Sequence, residues 1–236
     1  MHVILEVPVF RKCRMVRRLN RFVVEVEVEG SRERAHNTNT GRLVDVLVPG
    51  RSGFCTPLKR PGKTRFRLIA VEYGSGYAVI DTRLQEEAFA AAVDRGLLPW
   101  AAGCRVASRR PRLGSSFLDF LLECSGTRVY VETKSAVLMG PRGLAMYPDC
   151  PTERGRRHIR ELIMHAESGV RVALVFIAAL PGARGFMPNR EGDPEIPALV
   201  RRAIETGVMV KALGFDFDAE RRGIRLYAPS LPVVLA

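Results

Sequence analysis

The chain has 236 residues, of which 47% are hydrophobic and 26% are charged. This length and balance predict a globular protein with one large domain or two modest ones, and they exclude a disordered chain. Lysine and arginine number 37 against 25 acidic residues, a formal net charge of +12, and only five of the 37 are lysine. Because guanidinium groups match phosphate oxygens in pairs, this composition favours a polyanionic partner. The alternative is a basic surface without functional meaning.

The sequence predicts neither a membrane segment nor a secretory signal. Its first apolar stretch, MHVILEVPVF, is interrupted by Glu6 and Pro8 and is followed by basic residues, the reverse of a signal peptide. No window approaches the roughly 20 apolar residues that span a bilayer, so we expect a cytoplasmic protein. The five cysteines are scattered, odd in number and never in a CxxC pair, which indicates neither a disulfide framework nor a zinc site.

Residues 1–80 have the pattern of a β domain. Alternating or mostly apolar stretches lie between Gly, Pro and Asn turns, namely FVVEVEVEG, RLVDVLVPG, TRFRLIAVEY and GYAVIDT. Such short strands fit a small barrel, and the OB-like barrel is one that binds nucleic acid. Basic residues cluster in RKCRMVRRLNR and KRPGKTRFR, so we expect nucleic-acid contacts at Arg17, Arg18, Lys59, Arg60 and Arg65.

Residues 81–236 alternate between helices and strands. Helical patterns cover LQEEAFAAAVDRGLL, the segment from about Thr152 to Ser168, and EIPALVRRAIETG. VRVALVFIAAL is a continuous apolar run typical of a strand covered on both faces, and VMVKALGF predicts a last strand. This alternation, added to a hairpin, predicts an α/β domain with a mixed sheet. The predicted fold class is therefore α/β with two domains.

The stretch DFLLECSGTRVYVETKS predicts a β-hairpin that turns at Ser125-Gly126. In this register Phe120 pairs with Val131, and Leu122 pairs with Val129, which makes one continuous apolar face. A slip by one residue would destroy that face, so the pattern fixes the register.

The opposite face of the hairpin brings two acids and a lysine together, because Asp119 lies opposite Glu132 and Lys134 follows on the same face. Two carboxylates about 5 Å apart repel each other unless a proton or a cation lies between them. Oxygen ligands favour Mg²⁺ or Mn²⁺ over Zn²⁺. We therefore expect Asp119 and Glu132 to be metal ligands and catalytic residues, with Lys134 orienting a water or holding a phosphate oxygen. The alternative is a solvated sheet face that carries ordinary charges.

The second predicted helix carries Arg154, His158 and His165 on one stripe. Arg154 and His158 are expected to face the metal site and to contact a phosphate of the substrate. The alternative is a solvent-exposed stripe, which is the preferred interpretation of His165. Asp149 or Thr152 is expected to cap this helix.

Two further features have simple structural explanations. Glu86 and Glu87 lie on the first helix, where an exposed acid is the preferred interpretation and an outer carboxylate of the metal site is the alternative. Asn37, Asn39 and Gly41, in HNTNTG, are explained by polar turn chemistry.

Several of these strings resemble a known family. Asp119 and, further on, Glu132-Thr-Lys134 lie on a hairpin between an acidic helix and a helix followed by a strand, which resembles the PD-(D/E)XK nuclease core. In addition, the strings HNTNTG, DFLL, ETKS, YPDCPTERGRRHIREL and LPVVL, in this order, resemble the sugar fermentation stimulation protein A family over nearly the whole chain. The chain departs from the family pattern at two places. It lacks a proline and a cysteine before the Asn-Thr-Gly, and it has Phe117 where an arginine-like residue is expected before DFLL.

The resemblance implies an OB-like domain over residues 1–80 and a PD-(D/E)XK domain over residues 81–236, with DNA binding and a nuclease site. It assigns the metal to Asp119 and Glu132 and the catalytic lysine to Lys134. The family's name reflects a proposed role in regulating sugar metabolism, especially that of maltose.

The sequence therefore predicts a Mg²⁺- or Mn²⁺-dependent nuclease that acts on DNA or RNA, with the preferred strand type and the oligomeric state left open. The alternative is a non-catalytic DNA-binding regulator on a nuclease scaffold. A sugar-binding or small-molecule enzyme has no supporting motif, since the chain contains no GxGxxG, no P-loop and no Ser-His-Asp order.

Overall fold

The computed structural model describes residues 3–235. Its helices are α1 (Thr82–Asp94), α2 (Glu153–Glu167) and α3 (Ile196–Glu205). Its strands are, in chain order, β1 (Val3–Glu6), β2 (Arg11–Arg18), β3 (Val23–Val28), β4 (Ser31–His36), β5 (Ser52–Pro57), β6 (Phe66–Tyr73), β7 (Gly76–Val79), β8 (Cys104–Arg109), β9 (Arg112–Leu113), β10 (Ser116–Phe117), β11 (Phe120–Cys124), β12 (Thr127–Ala136), β13 (Leu138–Met139), β14 (Leu144–Tyr147), β15 (Val172–Ala178), β16 (Gly185–Pro188), β17 (Met209–Asp218) and β18 (Gly223–Leu231).

The strands β2 to β6 form a closed barrel. Their order is β4-β3-β2-β5-β6, with β7 beside β6, and a parallel pairing between β4 and β6 closes the cylinder. Along β3, Val24, Val26 and Val28 are buried, whereas the residues between them are more exposed, as expected for a barrel wall with one face inward. The predicted OB-type barrel is confirmed.

The C-terminal domain is built on a mixed sheet with the order β1-β18-β17-β15-β12-β11-β8. Strands β12, β15 and β17 are parallel neighbours, and the other pairs are antiparallel. Helix α1 packs on one face, where Phe89 contacts Phe120, and α2 packs on the other, where His158 contacts Glu132. Every residue of β15 is buried, as its continuous apolar run predicts. The predicted α/β class is confirmed.

The first strand crosses the predicted domain boundary. Although β1 precedes the barrel in the chain, it pairs antiparallel with β18 in the larger sheet. The division into residues 1–80 and 81–236 remains a prediction, although the first strand belongs to the larger sheet and not to the barrel. A further link lies at the boundary, where Asp81 caps α1 and contacts Thr38 and Arg67 of the barrel.

One predicted strand is wrong, because RLVDVLVPG forms turns rather than a strand. Leu43 has φ +51°, and its carbonyl accepts hydrogen bonds from the amides of Val46 and Leu47. These three side chains are buried, so the apolar residues follow a spacing of three and four instead of the alternation of a strand.

The expectation of no disulfide is also wrong. Cys104 of β8 and Cys124 of β11 lie directly opposite each other and form a disulfide, with their Cα atoms 4.0 Å apart. The expectation failed because β8 was not recognised as the neighbour of the hairpin. Cys13, Cys55 and Cys150 are free thiols.

Within residues 3–235, no helix combines the length and apolar character required to cross a membrane.

Candidate active site

The hairpin of β11 and β12 forms in the predicted register. Phe120 pairs with Val131 and Leu122 with Val129, and the turn is made by Ser125 and Gly126, whose φ angles of +48° and +83° are those of a tight hairpin turn. The apolar face is buried against α1, which holds the strand ends in place.

Asp119 lies just beyond the last ladder pair of the hairpin. Its amide donates to the carbonyl of Val131, and its Oδ2 accepts hydrogen bonds from the amide and the hydroxyl of Thr133, at 2.7 and 2.6 Å. Asp119 is therefore held by β12, near Glu132, but the regular pairing ends at Phe120 rather than at Asp119.

Glu132 is the centre of a buried charge cluster. Its Oε1 contacts both Nζ of Lys134 and Nδ1 of His158, and its side chain is only 4% exposed. The other oxygen, Oε2, is buried and has no hydrogen-bond partner. A buried carboxylate oxygen without a hydrogen-bond donor still has lone pairs that can bind a cation, so Oε2 is a candidate metal ligand.

The environment shifts the pKa values of the three predicted catalytic residues. Burial and the nearby Glu132 carboxylate raise the pKa of Asp119. Burial alone would raise the pKa of Glu132, but Lys134 and His158 outweigh it and lower that pKa. Burial disfavours the ammonium of Lys134, yet Glu132 reverses this effect and raises its pKa. The lysine is therefore charged, and it offsets the repulsion between the two acids.

Glu86 of α1 also lines the cavity, contrary to the preferred interpretation of an exposed helical acid. Burial, followed by repulsion from Asp119, raises the pKa of Glu86 from 4.5 to about 7. Helical periodicity alone could not reveal this position, because it depends on which face of α1 packs against the hairpin. The neighbouring Glu87 is exposed, as expected.

Helix α2 presents Arg154 and His158 to the site. Thr152 caps the helix by accepting from the amide of Gly155, whereas Asp149 instead accepts from the amide of Leu43 in the barrel. Arg154 lines the cavity, and its Nε donates to Nε2 of the buried His158 at 3.4 Å. Because Nε2 accepts this hydrogen bond, the ring proton is on Nδ1 and is donated to Glu132.

The barrel supplies part of the wall. Thr38, Asn39 and Thr40 line a cavity of about 270 Å³ together with Asp119, Glu132, Lys134 and other residues of the C-terminal domain. Nδ2 of Asn39 donates to Oγ of Ser135, which is 3.2 Å away and lies three residues beyond Glu132 on β12. Turn chemistry accounts for Asn37, but Asn39 also links the barrel to β12. Sequence reasoning missed this link, because it explained Asn39 by turn chemistry alone.

The structure places the predicted nucleic-acid contacts of the barrel in different settings. Arg17 pairs with Glu25, and Arg65 pairs with Glu33. Arg18 donates to the backbone carbonyls of three residues, namely Asn20, Arg21 and Arg42. Lys59 and Arg60 are exposed in the turn between β5 and β6. Their roles in binding remain predictions.

The donor set at the site fits a hard divalent cation. Asp119 and Glu132 supply carboxylate oxygens, and the unpartnered Oε2 of Glu132 is the observation that supports such an ion. Among residues 3–235, no three His, Cys, Asp or Glu side chains are grouped closely enough to hold a metal by themselves. An ion here would therefore complete its ligand shell with water and phosphate oxygens, as Mg²⁺ does.

The fold and the site define a class: an OB-type barrel joined to an α/β domain whose hairpin carries an acid and a Glu-x-Lys motif beside a shared cavity. Two family models match the chain, the sugar fermentation stimulation protein N-terminal OB domain over residues 16–80 and the sugar fermentation stimulation protein RE domain over residues 83–221. The chain belongs to the sugar fermentation stimulation protein family.

Individual relatives agree with this assignment. The sugar fermentation stimulation protein homolog of Pyrococcus furiosus is 49% identical over 215 residues, which cover 91% of this chain and 93% of that protein. The homolog of Archaeoglobus fulgidus is 47% identical over 192 residues, covering 81% of this chain and 82% of that one. The solved structure of Pyrococcus furiosus SfsA in complex with Ca²⁺ has a TM-score of 0.93 and 46% identity, and the match covers 99% of this chain and 100% of the other.

Proposed function

We propose that the protein hydrolyses phosphodiester bonds in nucleic acid with the help of a divalent cation held by Asp119 and Glu132. The observation that carries the proposal is the unpartnered, buried Oε2 of Glu132 in a cavity that also contains Asp119 and Lys134. A formal charge of +12 supports a nucleic-acid substrate. The complex of the Pyrococcus furiosus relative with Ca²⁺ supports the use of a divalent cation.

The cation would be Mg²⁺ or Mn²⁺, since the donors are oxygens. When bound, it would withdraw charge from a phosphate oxygen and make the phosphorus more reactive. Thr133 holds Asp119, and His158 holds Glu132, so both carboxylates keep their orientation without rearrangement.

The protein's own groups would position the reaction. A water oxygen bonds to phosphorus as the bond from phosphorus to the leaving oxygen breaks. The water loses a proton to solvent, and the leaving oxygen takes up a proton from solvent. Lys134 is charged and lies beside Glu132, where its ammonium orients the attacking water or offsets the growing charge on the phosphate. Glu86 lines the same cavity, and its carboxylate would accept a hydrogen bond from the attacking water. Arg154 contacts a phosphate oxygen at the edge of the cavity.

A non-catalytic regulator that binds DNA is the second candidate, and one observation favours it. Lys134 already forms an ion pair with Glu132, so the charge of this carboxylate is balanced without any metal ion. In that case the nuclease fold would serve only as a scaffold for binding.

Cleavage assays separate the two candidates. Labelled single- and double-stranded DNA and RNA are incubated with the protein in Mg²⁺, Mn²⁺ or a chelator, alongside Asp119→Asn, Lys134→Ala and the exposed control Glu87→Gln. We expect cleavage that requires the cation, is lost in the first two variants and is retained in the control. Binding without cleavage under every condition would refute the nuclease and support the regulator.

A further inference from the structure

The cavity of about 270 Å³ that Asp119, Glu132 and Lys134 line is called the catalytic cavity below. A second cavity, of about 280 Å³, lies beside it. We call it the neighbouring cavity. The two cavities share a wall made of five residues that line both, namely Asn39, Thr40, Ser135, Tyr147 and Thr152. A ligand group in the neighbouring cavity therefore lies next to the position of the cleaved phosphate.

Both domains build the neighbouring cavity. The barrel contributes Arg21, Gly41 and Leu43, and the C-terminal domain contributes the end of β12 and the segment 146–152. Hydrogen bonds fix these parts to each other, since Asn39 donates to Ser135 and the amide of Leu43 donates to Asp149. The cavity is therefore a built feature of the domain junction and not a gap beside a loose loop.

The lining combines apolar surfaces with a few fixed polar groups. Leu43, Val137 and Met146 are apolar, whereas Asn39 and Asp149 offer an amide and a carboxylate. Such a mixture is typical of pockets that bind a flat heterocycle with a polar edge, such as a nucleobase.

The position of Asp149 depends on Gly41. A Cβ atom at residue 41 would lie 2.6 Å from both carboxylate oxygens of Asp149, so only glycine leaves them room. One of these oxygens, Oδ2, accepts from the amide of Leu43 at 2.8 Å. The carboxylate is thus held at the cavity wall, where it can accept a hydrogen bond from an amino group on a base edge.

We propose that the neighbouring cavity binds one unpaired nucleobase of the strand whose phosphate lies in the catalytic cavity. This inference rests on the proposed function and adds a substrate class to it. In a duplex each base is paired and stacked, so a base can enter a side pocket only from a single strand or after it leaves the helix. The preferred substrate is therefore single-stranded nucleic acid, or a duplex that is open at the cleaved position.

Cys150 provides a direct probe. It lines the neighbouring cavity but not the catalytic one, and it is partly exposed, whereas the other free cysteines, Cys13 and Cys55, are buried. Burial and the nearby Asp149 raise the pKa of the Cys150 thiol. Alkylation is therefore measured at about pH 8.5, where more of the thiolate is present.

The experiment uses the full chain with Lys134→Ala, so that the strand is not cut while both proposed metal ligands remain, in Mg²⁺. The rate of Cys150 alkylation by a maleimide is measured by mass spectrometry with three saturating probes: a single-stranded DNA oligonucleotide, an abasic oligomer with the same phosphates, and a blunt duplex. The single strand is expected to slow alkylation by at least about 5-fold, in line with the energy of base stacking, and the other two by much less. Equal protection by the abasic oligomer or by the duplex would overturn the proposal, as would binding of the single strand without protection.

A second variant tests the cavity by filling it. Cys150→Phe is expected to weaken binding of the single strand by about 5- to 100-fold while leaving binding of the abasic oligomer unchanged. Met164→Phe, on the exposed surface of α2, is the matched control and is expected to bind like the wild type. Unchanged affinity of Cys150→Phe, with its folded state verified by circular dichroism, would contradict the base site.

The inference and the proposed function can fail separately. Protection of Cys150 without any cleavage by the wild type would leave the base site standing and refute the nuclease. Cleavage without protection would do the reverse. If no nucleic acid binds, both are refuted.

Discussion

Nδ1 of His158 lies 2.5 Å from Oε1 of Glu132, and both side chains are buried. Because Arg154 donates to the other ring nitrogen, the ring proton is on Nδ1 and points at the carboxylate. This contact fixes the orientation of Glu132 and leaves Oε2 as the oxygen available to a cation. The sequence placed both residues near the site, but the contact itself requires α2 to pack on the face of β12 that carries Glu132.

Removing the imidazole should therefore weaken cation binding although His158 is not itself a ligand. We expect His158→Ala to lower the affinity for Mn²⁺ by about 10- to 100-fold, the usual effect of losing a group that orients a metal ligand. Isothermal titration calorimetry measures this change. His165→Ala, near the end of the same helix, is the control and should bind Mn²⁺ normally. An unchanged affinity in His158→Ala would show that Glu132 needs no such support.

The raised pKa of Glu86 predicts a pH-dependent stability in the absence of a cation. With a pKa of about 7 in the folded state against 4.5 for an ordinary glutamate, the folded protein holds this proton more tightly than the unfolded chain. Stability should therefore fall as pH rises from about 4.5 to 7. Glu86→Gln should lose this contribution and melt higher than the wild type above pH 7. Melting curves in a chelator test this, with the exposed Glu87→Gln as control, and identical pH profiles of wild type and Glu86→Gln would contradict it.

The basic residues of the barrel should divide into two groups by their contacts. Arg18 donates to three backbone carbonyls, so Arg18→Ala should destabilise the barrel by about 1–3 kcal/mol, the range for removing a charged donor from backbone acceptors. Lys59→Ala and Arg60→Ala should leave stability unchanged and weaken DNA binding, each reducing the salt dependence of the affinity by about one unit of slope. Urea unfolding and anisotropy titrations at several salt concentrations measure the two effects. If all three variants showed the same change in stability and the same change in DNA affinity, the basic residues would not form two groups.

The disulfide between Cys104 and Cys124 should stabilise the edge of the larger sheet. For a sequence separation of 20 residues, the chain-entropy model gives about 3 kcal/mol. In a domain of this size that energy corresponds to a fall in Tm of about 6–12 °C when the bond is removed. Calorimetry of Cys104→Ser measures the loss, and Cys13→Ser, at a free thiol of the barrel, shows whether any cysteine change has the same effect. No change in Tm on reduction of the wild type would contradict the prediction.

Patterns that act between near neighbours in the chain predicted the correct structure. The apolar pairs of the hairpin predicted its register, the apolar run in β15 predicted a buried strand, and Thr152 caps α2 as expected. These features depend on periodicity, turn chemistry and capping, which are local.

Features that depend on distant contacts were missed. The strand β1 pairs with β18, near the other end of the chain. Leu43 lies in a turn and not in a strand, and its amide donates to Asp149, which is distant in sequence. Glu86 enters the site only because of the way α1 packs on the hairpin. At the site, the positions of the two acids and the lysine were predictable from their spacing. The hydrogen bond from Asn39 to Ser135 and the contacts of Glu132 with both Lys134 and His158 were visible only in the folded structure.

The most direct test of the metal site is a Mn²⁺ titration followed by electron paramagnetic resonance of the free ion. The account predicts Mn²⁺ binding by the wild type and by Glu87→Gln, and its loss in Asp119→Asn and in Glu132→Gln. Binding of equal strength in all four proteins would mean that these two carboxylates hold no cation, and the proposed chemistry would then have no basis.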